Sequence, residues 1–238
     1  MRKNGRTVQQ MRPLEIIPNI NLYAEGSCLI KCGNTHVLCT ASVSEDTPDW
    51  LKGQNKGWIT AEYSLLPRAT LTRVLRETKG AGGRTHEIQR LIGRSLRAAV
   101  NLEELKDYCI HVDCDVLQAD GGTRTASISG GFVALYSALQ KLVREGKLLR
   151  NPVKEYVAAI SCGICHGEPV LDLDYAEDSH AEADTNFVLT ESGKIVEIQA
   201  TAESEVFTET EFNELFSLAK HGIHQIIMTQ KKVLGNVL

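Results

Sequence analysis

The apolar pattern of this chain runs twice through the same order, with strands first and helices after them. In the first half, runs typical of strands fall at residues 14–20, 23–32, 35–43 and 108–117, and helical stripes at 85–100 and from the glycines at 121–122 to about 144. Residues 50–83 have little clear periodicity apart from a short run at 57–63, which predicts a long loop. In the second half, strand-like runs at 156–164, 169–175, 185–190 and 195–201 precede a helix at 209–230. This order predicts an α+β fold, a two-layer sandwich of mixed β-sheets with helices packed on them, built as two βα halves that share one core.

The 238 residues are enough for one large domain or two small ones. We expect a first half at 1–150 and a second half at 151–238, folded as one compact unit. No apolar run has the length of a membrane span, and no apolar stretch follows Arg2 and Lys3. We therefore expect a cytoplasmic protein that does not bind a membrane.

The cysteines also favour a cytoplasmic protein. The seven cysteines are odd in number and lie mostly in apolar runs, which favours buried thiols over a disulfide framework. Cys162 and Cys165 have the spacing of a metal knuckle or a redox pair, but no second pair at zinc-finger spacing accompanies them. A structural strand is the favoured interpretation.

Charge is unevenly distributed along a chain whose net charge is −4. Residues 68–97 carry eight basic side chains against two glutamates, whereas residues 168–214 carry fourteen carboxylates against one lysine. An arginine-rich stretch suits phosphate groups because the planar guanidinium binds two oxygens at once. An acidic stretch suits a hard divalent cation, although solvated surface explains many charge runs equally well.

The turn at 120–126, with the sequence Asp-Gly-Gly-Thr-Arg-Thr-Ala, joins a predicted strand to a predicted helix. The first-turn amides of a helix have no intrahelical partner, and glycines let an anion approach them. The simpler alternative is a helix cap on Asp120 or Thr123. A second glycine pair and arginine, at 82–84, precede the other helix of this half, so both helix ends are able to meet at one phosphate. Neither turn has the spacing of a P-loop or of a dinucleotide fingerprint.

Six carboxylates fall between Asp172 and Asp184. Alternation predicts Asp172 and Asp174 on one face of a strand, Asp178 in the following turn and Asp184 at the start of the next strand. Two carboxylates at adjacent strand ends are able to share Mg²⁺, or to divide metal and acid–base roles at a phosphodiester. Solvated turn residues are the alternative.

Four long blocks of the sequence resemble the ribonuclease PH family of phosphate-dependent 3′-to-5′ exoribonucleases, and the similarity covers essentially the whole chain. The blocks are residues 57–70 (GWITAEYSLLPRAT), 83–97 (GRTHEIQRLIGRSLR), 113–126 (DCDVLQADGGTRTA) and 177–184 (EDSHAEAD). Small departures occur at 2–6, in the short turn 79–83 and at 106–109. The turn 79–83 bears on how Arg84 is presented.

The resemblance implies a ribonuclease PH fold and a role for each block. Inorganic phosphate, the co-substrate, would be held by Arg84, Gly122, Thr123 and Arg124. Asp178 and Asp184 would be the catalytic and Mg²⁺-associated carboxylates. Arguments from the residues leave open which of the two binds metal and which protonates the leaving oxygen.

The resemblance also implies the substrates and the assembly. It predicts a nucleotidyltransferase that trims the 3′ ends of tRNA precursors and other RNAs, releases nucleoside diphosphates and runs in reverse; rRNA processing belongs to the same expectation. It further predicts a homohexamer, a trimer of dimers, in which Arg68, Arg73 and Arg76 serve assembly or RNA binding. Neither DNA nor a membrane is an expected partner.

Three alternatives stay open from the residues alone. A non-catalytic RNA-binding subunit would keep the fold and lose the chemistry, a hydrolytic nuclease would use water and need no phosphate cradle, and a small-molecule phosphotransferase would need a nucleotide-triphosphate loop that is not visible. Because only 5% of residues are aromatic, we expect RNA contacts to rely on backbone phosphates and to weaken with salt.

Overall fold

A computed structural model describes residues 2, 5–46, 48–78 and 80–235. Lys3, Asn4 and Lys79, which belong to two of the sequence departures noted above, lie outside the described residues. The first half contains β1 (Leu14–Pro18), β2 (Gly26–Cys32), β3 (Thr35–Ser44), a single 3₁₀ turn (Asp49–Leu51), β4 (Trp58–Leu65), α1 (Gly83–Ala99), β5 (Cys109–Gln118) and α2 (Thr123–Arg144). The second half contains β6 (Val157–Cys165), β7 (Glu168–Leu171), α3 (Tyr175–Asp178), β8 (Ala183–Thr190), β9 (Ile195–Ala202) and α4 (Glu209–Leu234).

Two sheets carry the α+β architecture. The first has the strand order β1-β2-β3-β5-β4 and is mixed, because β4 runs parallel to β5 while its other pairs are antiparallel. The second has the order β7-β6-β8-β9 and is antiparallel throughout the described strands. β2 and β3 form the predicted hairpin through Gly33 and Asn34, with Cys32 paired to Thr35.

Helix α2 lies between the two halves and is buried along most of its length. It contacts β2, β3 and β5 of the first sheet and β6 of the second. Small residues allow this close approach: a Cβ on Gly130 would lie 2.7 Å from Cγ2 of Ile30 and 2.8 Å from Sγ of Cys39. One apolar cluster therefore runs through both halves, as the shared-core prediction requires.

Helix α4 closes the second sheet and contacts β6, β7 and β8. Its start at Thr208 has the predicted capping box with Glu211. The cysteines are free thiols, six of them buried and Cys165 half-buried, which confirms the expectation of buried thiols. No helix in the described part of the chain is both long enough and apolar enough to cross a bilayer.

One predicted strand is wrong in its second part. The run at 169–175 ends as a strand at Leu171, and the chain then turns at Asp172, whose φ is +56°. Asp172 is buried, while Asp174 becomes the N-cap of the short helix α3. The two aspartates therefore do not share a strand face. Ion pairs with residues elsewhere in the chain hold Asp172 in this conformation, although the alternation of apolar and polar residues around it is typical of a strand.

Candidate active site between the two halves

The candidate site forms where the turn before α2 meets the second half. Gly121 and Gly122 have φ values of +76° and +65°, in the left-handed region that favours glycine. Gly122 is the N-cap of α2, so the alternative of a side-chain cap on Asp120 or Thr123 is wrong. A Cβ on Gly121 would lie 2.7 Å from the carbonyl oxygen of Leu173. The turn therefore packs directly on the segment that leads into α3.

Two strands orient the first residues of α2. The hydroxyl groups of Thr123 and of Tyr63 on β4 are 2.8 Å apart and hydrogen-bonded. Nη1 of Arg124 donates to Oε1 of Gln199 on β9 at 3.1 Å. Thr123 is thus tied to the first sheet and Arg124 to the second, at a helix start whose first-turn amides have no intrahelical partner.

Arg84 approaches the same place from α1. It is the second residue of that helix and its side chain is exposed. Burial raises the pKa of the Tyr63 phenol, and the positive charges of Arg84 and Arg124 act against this rise. Both guanidinium groups are therefore close enough to one phenol to affect its ionisation.

Asp178 lies near both arginines, and Asp184 lies near Arg124. Asp178 ends α3, where sequence reasoning placed a turn, and Asp184 is the second residue of β8, at the predicted strand start. Surrounding protein atoms raise the pKa of Asp178 although its side chain remains accessible, and the charges of Arg124 and Arg84 oppose that rise. The structure thus gathers the predicted anion-binding and acidic residues at one location.

The two carboxylates also influence each other. Burial raises the pKa of Asp184, and the negative charge of Asp178 raises it further, while Arg124 lowers it. Glu203 raises the pKa of both aspartates. At Asp184, Arg124 therefore offsets the repulsion from Asp178 only in part.

Few side chains that could bind a metal ion lie around Asp178 and Asp184. Within the described ranges, no group of three or more His, Cys, Asp or Glu side chains is arranged to hold a metal ion. Asp178 and Asp184 are a pair, and a pair suits Mg²⁺, which usually keeps several waters and takes one or two carboxylates together with substrate phosphate oxygens. The residues present fit that mode and do not form an all-protein cage.

The predicted RNA or assembly arginines lie elsewhere. Arg68, Arg73 and Arg76 are exposed on the loop between β4 and α1. Nη1 of Arg68 donates to the carbonyl oxygen of Leu71 at 3.1 Å, and the charge of Arg76 lowers the pKa of Asp115 on β5, against the effect of burial. The effect on Asp115 places Arg76 beside β5 of the first sheet, and Arg68 and Arg73 lie on the same loop.

Sequence reasoning assigned no role to several residues of the site. Tyr63 lies inside one of the family-like blocks, so that block carried a usable signal. Gln199 and Glu203 belong to β9 and the segment after it, where the sequence shows only alternation and acidity. Arg12 and Asp172, described below, are joined across 160 positions, and no local pattern marks such a pair.

Family models match both halves of the chain. Residues 10–139 match the 3′ exoribonuclease family, domain 1, and residues 155–222 match the 3′ exoribonuclease family, domain 2. The chain is 56% identical over 238 residues to a protein of Methylocella silvestris named ribonuclease PH, an alignment that covers 99% of this chain and 100% of the relative.

Solved structures share the fold at lower identity. Rice (Oryza sativa) Rrp46 superposes with a TM-score of 0.79 at 20% identity, covering 98% of this chain and 100% of that one. The Archaeoglobus fulgidus exosome with RNA bound to the active site gives a TM-score of 0.82 at 24% identity, with coverage of 95% and 91%. An archaeal exosome core gives 0.76 at 23% identity, with coverage of 98% and 90%.

Family matches in both halves, together with the full-length relative, confirm the resemblance that the sequence blocks indicated. The chain belongs to the ribonuclease PH family of phosphorolytic 3′-to-5′ exoribonucleases.

Proposed function

We propose that this protein removes nucleotides from the 3′ ends of tRNA precursors by using inorganic phosphate held on Arg84, Gly122, Thr123 and Arg124. As a member of its family it is a nucleotidyltransferase-type, phosphorolytic exoribonuclease of tRNA processing. The observation that carries the site assignment is that Arg84 and Arg124, each at the start of a helix, both act on the ionisation of Tyr63 and of Asp178.

The phosphate cradle supplies position and charge. Arg84 and Arg124 would each donate to phosphate oxygens, and the unpaired amides at the start of α2 would donate to the same anion. Two guanidinium groups offset the repulsion between inorganic phosphate and the phosphodiester. Positioning of the nucleophile and stabilisation of charge are the main contributions a protein makes to phosphoryl transfer.

In the reaction, an oxygen of inorganic phosphate attacks the phosphorus atom of the last phosphodiester. A P–O bond forms to the attacking phosphate, and the bond from phosphorus to the 3′ oxygen of the preceding nucleotide breaks. That 3′ oxygen takes a proton and becomes the new RNA end, while the terminal nucleotide leaves as a nucleoside 5′-diphosphate. The reverse reaction adds a nucleotide from a nucleoside diphosphate and releases phosphate.

Asp178 and Asp184 would help to neutralise the charge that the reaction places on the scissile phosphodiester. Asp184, with or without Asp178, would hold Mg²⁺, which when bound neutralises the non-bridging phosphate oxygens. The raised pKa of Asp178 also suits it to give a proton to the leaving 3′ oxygen. Two roles for Asp178 therefore remain, metal ligand or acid.

RNA decay with and without inorganic phosphate tests the reaction class. Nucleoside diphosphates formed only in the presence of phosphate support the proposal. Monophosphates formed without phosphate would identify a hydrolytic nuclease, and RNA binding without decay would identify a non-catalytic subunit.

Arg124→Ala tests the cradle. We expect it to raise the KM for inorganic phosphate by about tenfold or more, and to change the KM for RNA much less, because one charged donor to the anion is lost. Equal losses for both substrates would contradict the assignment.

Asp184→Asn tests the metal site. Undiminished phosphorolysis by a folded variant would show that Asp184 does not hold a required metal ion.

The proposal includes a homohexamer, a trimer of dimers, in which Arg68, Arg73 and Arg76 contact a neighbouring subunit or RNA. Their exposure on one loop supports this use. Molecular mass in solution, measured for the protein and for a variant with all three changed to alanine, tests the assembly. RNA affinity as a function of salt tests the binding role, since phosphate contacts weaken steeply with ionic strength.

Two broader assignments belong to the same proposal. Residues 1–150 and 151–238 act as one unit, which the shared core and α2 support. We place the protein in the cytoplasm, where free thiols such as its buried cysteines stay reduced. One cooperative unfolding transition and cell fractionation are the respective tests.

A further inference from the structure

A buried charge cluster lies behind the glycine turn. Arg12, in the segment before β1, is 7% exposed, and its guanidinium meets the carboxylate of Asp172 through Nε at 3.0 Å and Nη2 at 2.7 Å. The backbone N–H of Arg12 donates to the same carboxylate at 2.7 Å. The third nitrogen, Nη1, donates to the carbonyl oxygen of Asp120 and lies 3.4 Å from that of Gly121. One guanidinium therefore joins Asp172 to the turn that is proposed to hold phosphate.

The carbonyl groups of residues 120–122 are all held from within the protein. Arg12 binds the first, the hydroxyl of Thr35 donates to the second at 2.6 Å, and Thr125 donates to the third at 2.9 Å. The Thr35 hydroxyl also accepts the N–H of Asp120 at 3.0 Å. Because a trans peptide points its N–H opposite to its carbonyl, the amides of these peptides face away from their buried partners.

Such restraint matters at two successive glycines. Glycine adopts left-handed and right-handed conformations with similar ease, so a Gly-Gly turn on its own populates several orientations of its peptides. A flipped peptide would present a carbonyl oxygen to an anion in place of an amide hydrogen. Holding the carbonyls inward removes that orientation before phosphate arrives.

We propose that Arg12 is a positioning residue for the phosphate site, acting through the carbonyls of Asp120 and Gly121. The inference rests on the proposed function, because it assumes that the turn binds phosphate. Arg12 touches neither phosphate nor RNA in this account; it fixes which groups of the turn face them.

The partner of Arg12 extends this restraint to the acidic side of the site. Asp172 is 3% exposed, and its backbone N–H donates to the carbonyl oxygen of Ser161 at 2.8 Å. Two residues later, Asp174 caps α3, the helix that ends in Asp178. One ion pair therefore fixes the glycine turn and anchors the chain just before the opposite carboxylate.

Steady-state phosphorolysis by Arg12→Met and Arg12→Lys tests the inference. We expect both variants to raise the KM for inorganic phosphate by about tenfold, with the KM for RNA within about twofold of the parent value. Lysine keeps the charge but lacks the planar fork that reaches Asp172 and the turn together. Full recovery of the phosphate KM in Arg12→Lys would mean that charge alone matters and would overturn the positioning role.

Thr35→Val provides a second variant, which keeps the ion pair and removes the hydroxyl that donates to Gly121 and accepts the N–H of Asp120. It carries the test if Arg12→Met does not fold, and we expect it to raise the phosphate KM as well. Gln230→Met is the matched stability control, because it removes two buried 3.0 Å hydrogen bonds, to the carbonyls of Ser129 and Val157, without touching the turn. A similar KM change in Gln230→Met would overturn the inference.

Arg124→Ala separates this inference from the proposed function. If Arg124→Ala leaves the phosphate KM unchanged, the phosphate site itself is misplaced. If Arg124→Ala raises that KM while Arg12→Met and Thr35→Val leave it unchanged, the site stands and only the positioning role of Arg12 is wrong.

Discussion

The two glycine–arginine turns at 82–85 and 121–124 look alike in sequence and differ in structure. In the second turn both glycines have positive φ, and the backbone packs against the chain before α3. In the first turn Gly82 is extended at φ −72°, and a Cβ on Gly83 would meet nothing within 4 Å. The same residue types therefore produce one turn fixed by its surroundings and one that lies open.

In the described part of the chain, the side-chain hydrogen bonds that join the open turn to another segment come from Glu77, which is exposed. Oε1 of Glu77 accepts the N–H of Gly82 at 3.2 Å and the hydroxyl of Thr85 at 3.0 Å. The fixed turn is held by Arg12 and Thr35, both buried. One side of the proposed phosphate site is thus fixed by buried groups, whereas Arg84 lies on the more open side.

The largest effect on the fixed turn should come from Asp172→Asn. Removing this carboxylate charge leaves the buried guanidinium of Arg12 without its ionic partner, and breaking one side of a buried pair costs about 3–5 kcal/mol. Denaturant unfolding of the variant and the parent protein measures the loss. A loss below about 1 kcal/mol would show that the fixed turn does not depend on the ion pair.

The ion pair of Asp172 also predicts that the stability of the protein depends on pH. Burial alone would raise the pKa of Asp172, but hydrogen bonds and charge from Arg12 more than offset this, and the pKa is lowered. Its contribution to stability is therefore full above the unfolded pKa of about 3.9 and is lost as pH falls through the lower folded pKa. The parent protein should lose stability below about pH 4 more steeply than Asp172→Asn. Parallel curves would contradict this assignment.

The next effect contrasts alanine at the two turns. Gly121→Ala puts a Cβ 2.7 Å from backbone atoms of residues 173–174 at a left-handed φ, so we expect a loss of more than about 2 kcal/mol and weaker phosphate binding. Gly83→Ala adds a methyl group in open space at a helix start and should stabilise by up to about 1 kcal/mol. Thermal unfolding of both variants measures the difference; equal changes would mean that the turns are equally constrained.

The sequence was sufficient to predict those features that depend on a few adjacent residues. The hairpin at Gly33-Asn34 and the capping box at Thr208 follow from a few adjacent residues, and the structure has both. Helix stripes and strand runs were also close to their observed bounds. The two glycine–arginine turns were predicted to be able to meet at one phosphate, because each precedes a helix of the same half.

The features that the sequence pattern did not reveal depend on contacts between residues that are far apart in the chain. Asp172 alternates correctly for a strand, yet its carboxylate pairs with Arg12 across 160 positions and the backbone turns there. The difference between the two glycine turns has the same origin. Gly82 and Gly121 have similar neighbours in sequence, yet residues 173–175 pack against Gly121 at a positive φ, whereas a Cβ on Gly82 would meet, among the described residues, only Oε1 of Glu77 at 3.2 Å.

The smallest effect, and the one that sharpens the comparison most, should come from Glu77→Gln at the open turn. Glu77 places a negative charge at the start of α1, where an anion is stabilised by the helix dipole. Its neutralisation should lower stability by no more than about 0.5 kcal/mol, and should lower the KM for inorganic phosphate by about twofold because a competing anion is removed. Phosphate titrations of phosphorolysis measure the second change. An increase in that KM would instead mean that Glu77 organises the first turn as firmly as Arg12 organises the second, and the distinction between a fixed and an open side would fail.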